Sequence, residues 1–110
     1  MKLRLCNFQV NLPLLPGKYE IGREGGEGIF LRSGEWKTPF CALNLSVSRF
    51  RKNGAGHLTI EFDGEKAVLI DNESTLGSFC NEVMILKLTL NKAGSHTIRM
   101  GNMYFNLTLK

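Results

Sequence analysis

Short strand-like segments separated by glycine and asparagine turns run through the whole chain. Apolar residues recur with a period of two in segments such as 57–62 and 86–90, which is the side-chain repeat of a β-strand. Turn signals such as Asn53-Gly54 and Asp63-Gly64 separate these segments at intervals of about ten residues. No stretch keeps apolar residues at helical spacing for three turns. The pattern predicts an all-β sandwich or barrel.

The predicted strands and core residues follow from the same alternation. We expect Phe8 and Val10 to continue the first strand, Pro13 and Pro16-Gly17 to form a turn, and residues 33–39 to form an excursion. The predicted strands are 3–5, 18–21, 29–31, 57–62, 66–70, 83–86, 86–90, 96–100 and 104–109. The phenylalanines predicted to lie in the core are Phe8, Phe50, Phe62, Phe79 and Phe105.

Length and composition favour one domain, spanning residues 1–110, with a single core. Apolar residues make up 43% of the chain, and the formal charge is +4 at pH 7. This charge is compatible with an anionic partner but does not identify one. Charged or polar residues interrupt every apolar run, so no membrane span is predicted. The N-terminal residues alternate like a strand and lack the apolar region of a signal peptide, and we expect a cytoplasmic protein.

Titratable and nucleophilic residues show no catalytic or metal-binding pattern. The three cysteines, Cys6, Cys41 and Cys80, are widely spaced, and we expect buried free thiols in a reducing cytosol. His57 and His96 begin predicted strands without a carboxylate or cysteine at useful spacing, so satisfied or solvated histidines are expected. No cofactor, metal site or enzyme activity is predicted.

Three separated segments together resemble the forkhead-associated (FHA) domain family. They are Ile21-Gly22-Arg23, Val47-Ser48-Arg49 and the polar loop 71–81, which contains Ser74-Thr75-Leu76-Gly77. The family has a Gly-Arg after its second strand, a Ser-Arg-x-His-like segment and an Asp-x-x-Ser-Thr-Asn-Gly-like loop. The closing pattern of residues 88–109 is also similar to the end of these domains. The resemblance covers residues 18–109.

The resemblance implies a β-sandwich of two mainly antiparallel sheets, of the FHA/SMAD-like type, with phosphate-binding loops at one end. FHA domains bind phosphothreonine peptides through these loops. By this resemblance Arg23 and Ser48 would hold the phosphate, Arg49 and Thr75 would add contacts, and Leu76 and Gly77 would meet the peptide backbone. A guanidinium, hydroxyls and backbone N–H groups are suitable donors for a phosphate, which has close to two negative charges and three acceptor oxygens.

The chain departs from the family pattern in three places. Leu76 replaces the asparagine that holds the peptide backbone, which leaves the backbone N–H groups of Leu76 and Gly77 as the expected donors. Arg51 stands where the family has a structural histidine, so either the loops lack that brace or Arg51 adds charge near the phosphate. Residues 29–40 are longer than expected and form a candidate partner surface, with Trp36 exposed.

Two classes of binding function and two weaker alternatives follow from these residues. The leading hypothesis is a phosphothreonine-dependent interaction module that binds a phosphorylated protein, such as a Ser/Thr kinase or its substrate, in signalling. The alternative is a degenerate FHA-like scaffold for phospho-independent assembly, for example in a secretion or regulatory complex. Nucleic-acid binding is disfavoured, because Arg49, Arg51 and Lys52 lack interleaved aromatic residues on one strand face. An enzyme is the weakest of the four.

Overall fold

The computed structural model describes residues 1–110 and contains twelve strands and no helix. The strands in chain order are β1 (Leu3–Cys6), β2 (Asn11–Leu14), β3 (Gly17–Glu24), β4 (Gly28–Ser33), β5 (Trp36–Cys41), β6 (Leu58–Phe62), β7 (Ala67–Asp71), β8 (Ser78–Cys80), β9 (Val83–Ile85), β10 (Lys87–Leu90), β11 (Gly94–Met100) and β12 (Met103–Leu109). No helix in the chain is long and apolar enough to cross a membrane.

The strands form two six-stranded sheets in which every named strand pair is antiparallel. The first sheet has the order β2-β1-β12-β11-β8-β9, and the second has the order β10-β7-β6-β3-β4-β5. Each sheet includes strands from both halves of the chain, so neither sheet forms from a contiguous half. The prediction of an all-β sandwich of two mainly antiparallel sheets is confirmed.

The core lies between the sheets, and the sequence alternation places its residues there. In β12, Met103, Phe105, Leu107 and Leu109 are buried, whereas Tyr104 on the other face is exposed. Burying one large apolar side chain contributes roughly 1.5–3 kcal/mol, and 23 residues form this single cluster. Because the core ties the two sheets together, the loops at their ends have fixed positions.

The edge strand β2 corrects two predictions near the N-terminus. Pro13 lies within β2, opposite Arg4, and not in a turn. Proline has no N–H to donate, but an edge strand has one side that needs no partner, so β2 tolerates it. Phe8 does not continue the first strand into the core. It lies in the β1–β2 turn with 94% of its surface exposed.

The segment 29–40 is an integral part of the second sheet and not an excursion. Strands β4 and β5 form a hairpin, with Ser33 opposite Trp36. Ile29, Leu31 and Phe40 from this segment are fully buried in the core. Trp36 is exposed as predicted, at 48%. The other phenylalanine predictions hold for Phe62 and Phe105, which are buried, whereas Phe50 and Phe79 are half-buried.

The three thiols stay separate and make no disulfide. Cys80 is buried, and Cys6 and Cys41 are half-buried. Burial raises the pKa of the Cys41 and Cys80 thiols, which favours the unreactive protonated form. No cluster of three or more His, Cys, Asp or Glu side chains has the geometry to hold a metal ion.

Several long connections meet at one end of the sandwich. The β3–β4 turn, the β5–β6 connection and the β7–β8 loop all lie there. Arg23 N–H, at the end of β3, donates to the Ser48 carbonyl of the β5–β6 connection (2.9 Å), and Thr75 N–H of the β7–β8 loop donates to Ser48 Oγ (3.3 Å). The β11–β12 turn joins them, because Gly101 N–H donates to the Gly77 carbonyl at 3.0 Å. We call this the loop end.

Candidate functional site

Arg23 lies at the end of β3 and pairs with the β5–β6 connection. Its N–H donates to the Ser48 carbonyl at 2.9 Å, and its own carbonyl accepts from Phe50 N–H at 3.1 Å. These bonds form a short parallel bridge in which Arg23 faces Arg49. The structure therefore brings Arg23, Ser48 and Arg49 together, although about 24 residues separate Arg23 from Ser48 in the chain.

In the Arg23 guanidinium, one nitrogen forms a hydrogen bond within the chain and the other two do not. Its Nε donates to the Val47 carbonyl at 3.0 Å. Its two terminal nitrogens find no acceptor in the chain, and no carboxylate forms an ion pair with it. The side chain is half-buried. A guanidinium held in this way presents a planar fork of donors to a ligand oxygen.

The β7–β8 loop brings Thr75 to the same place. The N–H of Thr75 donates to Ser48 Oγ at 3.3 Å, which leaves the hydroxyl proton of Ser48 free to donate elsewhere. Thr75 is exposed, and its hydroxyl makes no hydrogen bond within the chain. Two hydroxyl donors thus stand beside the arginine fork.

The backbone N–H groups of Leu76 and Gly77 differ, because only that of Gly77 has a hydrogen-bond partner within the chain. The Gly77 N–H donates to Ser74 Oγ at 2.9 Å, so the expectation that this N–H is available to a peptide is wrong. Gly77 has φ +85, a backbone conformation that glycine adopts without strain. Leu76 has 55% of its surface exposed, and its N–H has no partner in the chain. Leu76 therefore offers one backbone donor at the loop tip.

Arg49 and Arg51 add positive charge around Arg23. Both are exposed, and neither forms an ion pair with a carboxylate. Arg51 Nη2 donates to the Asn72 carbonyl at 2.5 Å, so this arginine ties the β5–β6 connection to the β7–β8 loop. The loops do have a brace, which another residue supplies, and the added charge of Arg51 near the phosphate stays a prediction.

That brace is His57, which is fully buried between the two loops. Its Nδ1 accepts a hydrogen bond from Ser48 N–H at 2.9 Å, and its Nε2 lies 2.8 Å from the Gly77 carbonyl. An N–H can only donate and a carbonyl can only accept, so the proton of the neutral ring is on Nε2. The expectation of a satisfied histidine is confirmed, and the ring holds Ser48 at a fixed distance from the β7–β8 loop.

Burial keeps the His57 ring neutral. Desolvation lowers the pKa of His57, while the hydrogen bond to Gly77 and the nearby Asp71 carboxylate oppose that shift. Asp71 Oδ1 lies 3.7 Å from His57 Nε2. Protonation would put a second hydrogen on Nδ1, where it would face the Ser48 N–H. A charged His57 is therefore incompatible with this loop arrangement.

Asp71 anchors the start and the end of its own loop. Its Oδ1 accepts from the hydroxyls of Ser74 and Ser78, each at 2.6 Å. Its Oδ2 accepts from the N–H of Ser74 at 3.1 Å. Ser78 is fully buried, and its hydroxyl braces the end of the loop. These bonds fix the loop that carries Thr75 and Leu76.

Asn72 fastens the loop to the second sheet. Its Nδ2 donates to the Gly56 carbonyl at 3.1 Å and to Thr59 Oγ1 at 2.8 Å. Its backbone N–H donates to the His57 carbonyl at 3.1 Å. The base of the β7–β8 loop is thus hydrogen-bonded to the beginning of β6.

Sequence reasoning named the groups that face outward and missed those that hold them. Arg23, Ser48, Arg49, Thr75 and Leu76 meet at the loop end. The bracing roles of His57, Asp71 and Asn72 were not predicted. Asp71 offered a local signal, since serines follow it at three and seven positions and a short acidic side chain often bonds nearby hydroxyls and N–H groups. His57 offered none.

Comparison with known proteins gives matches at the level of structure alone. No protein-family model matches the chain, and no curated protein sequence matches it. A solved structure from a structural and functional analysis of phosphothreonine-dependent FHA domain interactions is 24% identical with a TM-score of 0.69, and the match covers 100% of this chain and 98% of that chain.

Two further FHA domains show the same likeness. The FhaA FHA domain, in a crystal structure of its complex with the intracellular domain of Rv3910, is 25% identical with a TM-score of 0.61, and the match covers 96% of this chain and 97% of that chain. The FHA domain of the CT664 protein from Chlamydia trachomatis is 17% identical with a TM-score of 0.66, covering 99% and 96%. The chain therefore has the fold of an FHA domain.

Proposed function

We propose that this chain is a phosphothreonine-dependent protein interaction module. The observation that supports this most is a set of three arginines, Arg23, Arg49 and Arg51, at the loop end with no carboxylate partner. The hydroxyls of Ser48 and Thr75 stand beside them. Such a donor set is suited to an anion with several acceptor oxygens.

A phosphorylated side chain fits this donor set better than a carboxylate does. A phosphate has close to two negative charges at neutral pH and three acceptor oxygens. The free fork of Arg23 would bind two of these oxygens, and the Ser48 hydroxyl would bind the third. Arg49 would add charge from the exposed side. Because His57 and Asp71 already fix the loops, little ordering would be needed on binding.

The structural neighbours support a peptide-borne phosphate over a free one. One neighbour comes from an analysis of phosphothreonine-dependent FHA domain interactions, and another is an FHA domain in complex with an intracellular protein domain. By this likeness the partner here would be a phosphothreonine-containing protein, such as a Ser/Thr kinase or its substrate. Residues 1–110 would act as one binding domain in the cytoplasm, without enzyme activity of their own.

The replacement of asparagine by Leu76 alters how the peptide backbone would be held. A leucine side chain makes no hydrogen bond, so the contact to the peptide backbone would fall to the Leu76 N–H. The phosphate contacts do not depend on that side chain. We infer a module in which the phosphate supplies most of the affinity and the peptide backbone supplies less.

Binding of fluorescent peptides that differ only in phosphorylation tests the proposal. An oriented phosphothreonine library, its phosphoserine counterpart and the unphosphorylated library would each be titrated with the domain. We expect measurable binding for phosphothreonine alone. Ser48→Ala should weaken it about tenfold, since one hydrogen bond to a charged group contributes roughly 1.5–3 kcal/mol.

Ser95→Ala is the matched control. Ser95 is an exposed hydroxyl on β11 that accepts a weak bond from Thr108 (3.3 Å), and its loss should leave affinity unchanged. Equal affinity for phosphorylated and unphosphorylated peptides, or no binding at high concentration, would reject the proposal. That result would favour a scaffold for phospho-independent assembly.

A further inference from the structure

A row of apolar and aromatic side chains crosses the outer face of the first sheet. Arg99 on β11 is the register partner of both Tyr104 on β12 and Phe79 on β8. Phe79 in turn pairs with Met84 on β9. Met84 is 62% exposed and Tyr104 is 50% exposed. The Arg99 guanidinium lies 3.7 Å from the Phe79 ring centre and 6.0 Å from that of Tyr104. We call these four residues the outer row.

The outer row has the composition of an interface core, and the rest of the face does not. Aromatic residues, Met and Arg are enriched at protein interfaces and at their hot spots. The next outward pair along β11 and β12 is Thr97 with Asn106, followed by Ser95 with Thr108. The apolar character is therefore confined to one end of an otherwise polar sheet face, as expected for a contact surface.

Glu82, beside the outer row, has an unfavourable backbone conformation. Asn81 and Glu82 form the two-residue turn between β8 and β9, with φ +50 and φ +67. Turns of this kind favour Asn followed by Gly, because both central residues need a positive φ. Asn81 fits this preference, whereas Glu82 is strained. Strained residues cluster where a side chain has a function, and the Glu82 side chain reaches Arg99.

The ion pair between Glu82 and Arg99 uses only part of each group. Arg99 Nε donates to Glu82 Oε1 at 3.3 Å, whereas Arg99 Nη2 has no acceptor and Glu82 Oε2 has no donor in the chain. An exposed pair contributes little to the stability of a fold, so this contact alone does not account for the strain. The free nitrogen and the free oxygen form a self-complementary pair, which a two-fold axis can match with a second copy.

We propose that the outer row is the interface of a weak symmetric dimer of this chain. A two-fold axis parallel to the strands, between β11 and β9, brings Arg99 of each copy to Glu82 of the other and packs the apolar members of the two rows together. The same axis keeps the two Arg4 residues, on β1, apart. The inference does not rest on the proposed function, because Arg23 belongs to β3 of the second sheet.

The size of the face sets the strength of the dimer. The first sheet has six strands and β12 has seven residues, so the face measures about 24 Å by about 24 Å. Each copy can therefore cover at most roughly 600 Å², which is at the weak, transient end of protein interfaces. We expect a dissociation constant on the order of 100 µM.

Sedimentation velocity of the natural chain, from about 10 µM to about 1 mM, tests the inference. We expect the sedimentation coefficient to rise with concentration toward that of a dimer. Met84→Ser should raise the dissociation constant about tenfold, because it removes an exposed apolar member of the row. Trp36→Ser is the matched control, since Trp36 is an exposed aromatic residue on β5 of the second sheet, and should leave the dimer unchanged. A natural chain that stays monomeric throughout overturns the inference and leaves the outer row for a different partner.

Glu82→Gly separates a role in the interface from a role in the fold. Glycine adopts a positive φ without strain, so the unfolding temperature should not decrease. Loss of the carboxylate should nevertheless raise the dissociation constant of the dimer about tenfold. If this variant is less stable and its dimer is unchanged, Glu82 serves the fold alone and the inference is wrong.

Exchanging the two charges gives a second test. Arg99→Glu and Glu82→Arg each place like charges opposite one another across the axis, so each variant alone should be monomeric. In an equimolar mixture the introduced charges face each other with opposite signs, and the remaining Glu82 of one copy faces the remaining Arg99 of the other. The mixture should sediment as a heterodimer. No recovery in the mixture, with both variants folded by circular dichroism, would overturn the inference, and Met84→Ser and Glu82→Gly decide the question if either variant unfolds.

Discussion

Two groups of arginines in this chain have opposite surroundings. Arg99 on β11 is engaged at two nitrogens and on one face. Its Nε donates to Glu82 at 3.3 Å, its Nη1 donates to the Gly101 carbonyl at 2.7 Å, and its guanidinium stacks 3.7 Å from the Phe79 ring centre. At the loop end, Arg23 keeps two terminal nitrogens free. The difference separates an arginine that stabilises the fold from one that is available to a ligand.

Two further cations, Arg32 and Lys37, resemble Arg99 in being paired with a carboxylate, here that of Glu24. Arg32 Nη2 and Lys37 Nζ each lie 3.0 Å from a carboxylate oxygen of Glu24. The hydrogen bonds from Lys37 and Arg32 hold the pKa of Glu24 below its ordinary value. Exposed ion pairs of this kind contribute little stability, but the Glu24 carboxylate offsets part of the positive charge of Arg32 and Lys37. Net charge therefore does not locate an anion-binding site in this chain, whereas positive charge without a carboxylate partner, next to free hydroxyls, does.

Replacing Arg23 and Arg99 separately gives the largest contrast. The probe is an alanine-based peptide with a central phosphothreonine, called the all-alanine phosphothreonine peptide. Arg23→Ala should weaken its binding about 100-fold, because the fork contributes more than one charged hydrogen bond. Arg99→Ala should change affinity by less than about twofold, since Arg99 bonds none of the proposed phosphate donors. Fluorescence anisotropy titration of both variants at one salt concentration measures the two effects.

Thermal unfolding must accompany those titrations, because a variant that unfolds also fails to bind. Arg99→Ala is expected to lose a little stability and to retain affinity. Arg23→Ala is expected to retain stability and to lose affinity. Equal losses of affinity in both variants would remove the distinction between the two groups of arginines. Unchanged affinity in Arg23→Ala would place the phosphate elsewhere.

The two histidines provide the next contrast, in stability. His57→Leu leaves the Ser48 N–H without an acceptor and removes one of the two donors of the Gly77 carbonyl, which Gly101 N–H still contacts. The unpaired, partly buried N–H should cost about 2 kcal/mol of unfolding free energy. His96→Leu should cost less than about 0.5 kcal/mol, because His96 Nε2 makes no hydrogen bond. Urea unfolding of both variants measures the difference, and equal costs would show that His57 is not a brace.

The lowered pKa of His57 predicts that the natural chain loses stability in weak acid, by less than the loss expected for His57→Leu. Burial lowers this pKa from the ordinary value of 6.5, so below about pH 6.5 the unfolded chain binds a proton that the folded chain refuses. Stability is therefore full above pH 6.5 and decreases as the pH is lowered from 7.5 to 5.5, toward the folded pKa.

Urea unfolding across this pH range, with His57→Leu beside the natural chain, checks the origin of the effect. The variant has lost the titrating ring and should show a nearly flat profile. The carboxylates titrate mainly below this range, and His96 remains in both proteins. A profile that is equally steep in His57→Leu would assign the pH dependence to another group.

Local pattern was enough to predict the sheets and the outward-facing donors. Alternation located strands such as β6 and β7, and the turn at Asp63 is real, since Asp63 Oδ1 accepts from the N–H groups of Glu65 and Lys66. Arg23 and Ser48 were found because their neighbours form short motifs. Each of these features depends on residues within a few positions of one another.

Features that depend on distant contacts were not predictable from pattern. His57 is a brace only because Ser48 and Gly77, at nine and 20 positions away, meet on opposite sides of its ring. Pro13 is tolerated because β2 happens to be an edge. The alternation continues through Phe8, but a turn of four residues, held by Asn7, turns its ring outward. In each case the deciding partner comes from elsewhere in the fold.

The smallest expected effect concerns Leu76, where the chain departs from the family at the loop tip. Its side chain is 55% exposed and forms no hydrogen bond, so Leu76→Asn adds an amide without disturbing the core. That amide can pair with the backbone of a bound phosphopeptide, and a net gain of roughly 0.5–1.5 kcal/mol corresponds to about fivefold tighter binding. Anisotropy titration with the all-alanine phosphothreonine peptide measures it.

Leu15→Asn makes the same substitution at another exposed leucine, 75% exposed and far from the loop end, and should give no gain. The contrast with Arg23 is then complete: Arg23→Ala removes the phosphate contact, whereas Leu76→Asn restores a backbone contact and leaves the phosphate contact intact. The gain should therefore vanish with the unphosphorylated peptide, which lacks the group that positions its backbone. If Leu76→Asn gives no gain with the phosphopeptide, the bound peptide does not pass the loop tip, and the Leu76 N–H is not its backbone donor.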